Sequence, residues 1–141
     1  MATRADFTDD EWKTMASGVT GAGMYVATAD PGFRDNFKEA SALARRLQAA
    51  HEHDESPLIR QLASEHQRPF GVTSSPAEIE QSTVDALQQG VAVLEAKSPA
   101  DLPAYRALVL KVAEAVAAAA KGVSPRENAA LERIRSAVGA T

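Results

Sequence analysis

The side chains best suited to metal binding or proton transfer are three histidines, His51, His53 and His66, in and near the polar run His51-Glu-His-Asp-Glu55. Either chemistry needs two imidazoles converging with a carboxylate, yet residues two apart point to different sides of a helix. His51 and Glu55 stand four apart and could share a face, but one such pair does not make a centre. A helical di-metal site would need a glutamate followed three residues later by histidine, supplied twice, and Glu52, Glu55 and Glu65 all lack that partner. The histidines therefore read as solvent-facing groups beside a helix end. Gly18-Val-Thr-Gly-Ala-Gly23 has the glycine content of a phosphate-binding loop, but no strand precedes it and no Gly-Lys-Ser/Thr follows. With no cysteine, thiol catalysis, disulfides and thiolate zinc sites are all excluded. No nucleophile, base and orienting group falls into a motif, so the expectation is a chain that is not an enzyme.

The elements that would hold these residues are helices. Asp101 to Val138 reads as two of them joined by a tight corner. Leu108, Val109, Val112, Val116 and Ala119 recur at three- and four-residue spacing, with Arg106, Lys111, Glu114 and Lys121 on the opposite arc. Gly122 is placed to supply a left-handed cap. Ser124, Pro125 and Glu127 then form a cap, first-turn proline and capping-box arm. Leu131, Ile134 and Val138 carry the next apolar face, and Gly139 ends it. Near the start, Thr8 and Glu11 make another capping box, followed by Trp12, Met15, Ala16, Val19, Gly23 and Val26 on one face. Three glycines inside that helix each cost roughly 1 kcal/mol relative to alanine, so the expected compensation is a neighbouring backbone packed against them.

Asp30-Pro31-Gly32 reads as a turn, and Phe33, Phe37, Ala40, Ala44 and Leu47 as the face of a second helix. Pro57 opens a third, through Leu58, Ile59, Leu62 and Ala63 to about Gln67. After the linker Arg68–Ser75, Pro76 opens a fourth, with Ile79, Val84, Leu87, Val91 and Leu94 on one arc to about Ala96. Ser98-Pro99 and Leu102-Pro103 leave the next start open by four residues, because proline is harmless anywhere in a first turn. No segment alternates like a strand. The expected fold is all-α, one domain over residues 1–141, a compact bundle of about six helices.

Composition agrees with that. The chain has 141 residues, long enough for one core without staples, and 45% of them are apolar while only 5% are aromatic, so close-packed alanine seams are expected. The net charge is -4 and neither half is basic, which leaves no footprint for nucleic acid or an anionic membrane. Asp6, Asp9, Asp10 and Glu11 stand where a signal peptide needs an apolar run, and Thr14–Ala29 is too short and too broken by glycine to span a bilayer. The expectation is a cytoplasmic protein.

The corner Ala-Ala-Ala-Lys121-Gly122-Val-Ser-Pro-Arg-Glu127, with Ala-Ala-Leu-Glu-Arg-Ile and Val-Gly after it, resembles the tellurite-resistance TerB family. Val26-Ala-Thr-Ala-Asp30-Pro-Gly32 looks like that family's first copy of the same device, giving two helix-corner-helix units. The resemblance implies a divalent metal, calcium above all, held by an Asp-Gly corner and a glutamate a turn later. Carried onto this chain, the metal residues would be Asp30, Asp35, Glu39 and Glu127. The sequence departs from the pattern at both corners. Pro31 is inserted before Gly32, and Asp35 and Glu39 miss the expected step. Lys121 sits where the second aspartate belongs and puts a positive charge against any cation.

Beside that implication stands a structural one, in which Asp30 caps a turn and Glu127 closes a capping box with no ion. The leading expectation is a TerB-like module without enzymatic activity, acting by protein contact in a stress response to tellurite or metal, its metal site weakened or lost. The alternatives are a calcium-binding protein using Asp30 and Glu127, a homodimer formed through the glycine face of the first helix, and a carrier with a ligand in the bundle core.

Overall fold

The first long helix begins on the capping box that Thr8 and Glu11 predict. The Thr8 amide donates to Glu11 Oε1 at 2.8 Å, and the Glu11 amide donates to Thr8 Oγ1 at 3.1 Å. Two donors that a helix start leaves unsatisfied are thereby satisfied reciprocally. The computed structural model describes residues 4–29, 45, 49, 57–63, 76–119 and 125–139. Within these residues the fold is all-helical: α1 Asp9–Ala29, α2 Pro57–Ala63, α3 Pro76–Lys97, α4 Leu102–Ala119 and α5 Pro125–Val138, with short 3-10 turns at Arg4–Asp6 and Pro99–Asp101. The expected second helix, with Phe33 and Phe37, lies outside the described residues. Arg45 and Ala49 are themselves helical.

The packing follows the apolar spacing. Trp12, Met15, Ala16, Val19 and Val26 of α1 are buried, as are Ile79, Val84, Leu87 and Leu94 of α3, while Val91 is half-buried against them. In α4, Leu108, Val109, Val112 and Val116 are joined in the core by Tyr105, Ala113 and Ala117. In α5, Leu131, Ile134 and Val138 are buried with Ala130 and Ala137, and Leu58 and Leu62 bring α2 into the same cluster. Each fully buried leucine or valine contributes about 1.5–3 kcal/mol, so this one cluster dominates the favourable side of folding. The most extensive contact is α1 along α3, followed by α1 with α4. The two helices run antiparallel, because Lys97 at the end of α3 reaches Glu11 at the start of α1 while Gly18 lies beside Leu87.

The start left open between Ser98 and Pro103 is resolved as two steps. Ser98 closes α3 by donating its amide to the Leu94 carbonyl, and its hydroxyl donates to Asp101 Oδ2 at 2.6 Å. The 3-10 turn Pro99–Asp101 then leads into α4 at Leu102. At the far end Gly139 adopts φ +74°, the left-handed conformation that a β-carbon would strain, and α5 stops there as its sequence indicates. Among the described residues no helix is long and apolar enough to cross a membrane.

Candidate functional site

Glu127, the carboxylate that the resemblance assigns to the second corner, is in the first turn of α5 and only 1% exposed. Its Oε2 is fully enclosed, and the residue interacts with its surroundings. Glu11 holds the equivalent place in its own capping box, yet its side chain is 26% exposed and forms a surface ion pair with Lys97 Nζ. One sequence device thus has two environments, and only at α5 does it carry a carboxylate into the interior. Asp30, Asp35 and Glu39 lie outside the described residues, as do Lys121, Gly122 and Ser124 of the corner. The histidines His51, His53 and His66 lie there as well. Among the described residues no three carboxylates or imidazoles are grouped closely enough to hold a metal ion.

Tyr105 of α4 is the largest fully buried side chain among the described residues. It is wholly buried, and its hydroxyl donates to the Met15 carbonyl of α1 at 2.9 Å. The hydroxyl sits in a notch made by two glycines. A β-carbon on Gly18 would lie 2.7 Å from it, and one on Gly90 would lie 3.0 Å away. A phosphate loop has no part in this arrangement. Gly18, Gly21 and Gly23 are all buried in α1, and Gly18 admits a side chain from α4 as well as the α3 backbone at Ala86. Burial raises the Tyr105 phenol above the ordinary tyrosine range, because phenolate has no compensating charge there.

Other polar groups join helix to helix. Arg106 Nε donates to the Val138 carbonyl at 2.6 Å and so caps the end of α5 from the side of α4. Lys97 draws Glu11 below the ordinary carboxylate range, with the Thr8 amide adding to the effect, and its ammonium also lies 5.7 Å from the Phe7 ring centre. Arg133 of α5 pairs with Glu80 of α3 at 2.9 Å on the surface. Tyr25 lies near that pair, and its phenol is raised by burial and then by the Glu80 carboxylate. Arg135 bridges Glu132 on its own helix and Glu114 on α4, at 2.8 and 3.4 Å.

On the outside of the α1–α3 pair lies an open groove of about 460 Å³, lined by Asp10, Lys13, Thr14 and Ser17 from α1 and by Ser82, Asp85, Ala86 and Gln89 from α3. It flanks the close approach of Gly18 to Ala86. Two of its polar groups are already engaged within their helices: Thr14 Oγ1 donates to the Asp10 carbonyl, and Gln81 Nε2 donates to Asp85 Oδ1. The groove was not legible as a site in the sequence, where its lining reads only as the solvent side of two amphipathic helices. Tyr105 was legible in principle, since it stands three residues before Leu108 and four before Val109 on the buried arc. No family model matches the chain, and no curated protein or solved structure matches it.

Proposed function

We propose that the chain is a TerB-like helical module without enzymatic activity, acting through contacts with other proteins in a stress response to tellurite or metal, with that family's metal site weakened or lost. The observations that support this reading are two polar bonds that join helix to helix, Tyr105 to Met15 and Arg106 to Val138, and an open outer groove between α1 and α3. Small-molecule sites are mostly enclosed and apolar with a few convergent polar groups, whereas this groove is open and lined mostly by polar side chains of mixed charge, as the rims of protein contacts are. The test places a photoreactive benzoylphenylalanine at Gln89 in the groove and, as a control, at Glu132 on α5. Irradiation in the host cell is expected to give a discrete adduct with another protein from Gln89 alone. Equal, diffuse labelling from both positions, or none from either, would contradict the reading.

A second reading, a divalent-cation site using Asp30 and Glu127, is favoured by one observation. Glu127 carries its carboxylate into the interior, which the capping box at Glu11 does not do. A hard cation takes several oxygen ligands, so Glu127 would supply one of a set completed by Asp30 and backbone carbonyls. Equilibrium dialysis with radioactive calcium checks it, with binding expected in the unaltered chain and lost in Glu127→Gln. Equal retention by the two proteins sinks this reading.

A further inference from the structure

We draw no further inference here: the strongest candidate, the polar groove between α1 and α3, belongs to the surface already described, and nothing in the structure shows what occupies it.

Discussion

Among single residues, the Tyr105 hydroxyl ties α4 to α1 and fills the notch that Gly18 and Gly90 leave. The Met15 carbonyl lies inside α1, where an amide one turn on already bonds it in a regular helix, so Tyr105→Phe leaves no bare acceptor. The expected cost is about 0.5–1.5 kcal/mol, a fall of roughly 2–6 °C in melting midpoint. Its pH dependence has a definite sign. Burial raises the folded-state pKa of Tyr105 above the unfolded value, so its contribution is fully present below pH 10 and is lost as pH rises beyond it. Stabilities of the two proteins, measured by urea unfolding, should therefore converge as pH climbs above 10. A constant gap would show that this phenol does not titrate with unfolding.

Gly18→Ala gives a second residue-scale outcome. Alanine gains up to about 1 kcal/mol in helix propensity, but its methyl would meet the Tyr105 hydroxyl at 2.7 Å and Leu87 Cδ2 at 3.1 Å. Overpacking of that kind costs typically about 1–3 kcal/mol, so the variant is expected to be less stable. The loss should shrink in a Tyr105→Phe background, where the nearer obstacle is gone. An alanine variant more stable than the parent chain would mean that the notch is not tight.

At the scale of elements, capping chemistry was the most legible feature. Thr8 with Glu11 foretold the start of α1, Pro76 that of α3, Pro125 that of α5 and Gly139 its end, because each is a local signal that distant packing does not override. The apolar spacing likewise located the buried faces. What could not be read were the bonds that cross between elements. Arg106 was placed on the solvent arc of α4, yet it reaches across to the Val138 carbonyl, since a long side chain can lay its stem along apolar surface and carry its charge to a helix end. Compensation for the α1 glycines was likewise expected from a neighbouring backbone. The α3 backbone at Ala86 does approach, but the nearest atom is the Tyr105 hydroxyl. Arg106→Ala should fray the last turn of α5 while leaving α1 and α3 intact. Hydrogen exchange would show this as faster exchange confined to amides near 136–139. Uniformly faster exchange would instead make Arg106 a support of the whole core.

Across the whole molecule, five described helices share one apolar cluster, and bonds such as Tyr105 to Met15 and Arg106 to Val138 join one helix to another. Composition and periodicity made the all-helical class legible, because no stretch has the alternation a strand needs. The candidate site was less legible for a physical reason. A groove arises from which helices pack together and how closely, and a metal site from which corners face one another. Neither relation is encoded in the spacing along one helix. Glu127 shows the difference: its spacing from Ser124 fits a capping box, but its burial comes from the packing of α5 on α3, α1 and α4.

We propose protein contact without a bound cation as the role of this chain. Thermal unfolding of chelator-treated protein, with and without millimolar calcium, tests it most directly. A ligand at a hundred times its dissociation constant would stabilise the native state by about 2.7 kcal/mol, a shift of several degrees. No calcium-specific change in the melting midpoint is expected. An upward shift given by calcium and abolished by Asp30→Ala or Glu127→Gln would contradict it, and would make the corners the functional site.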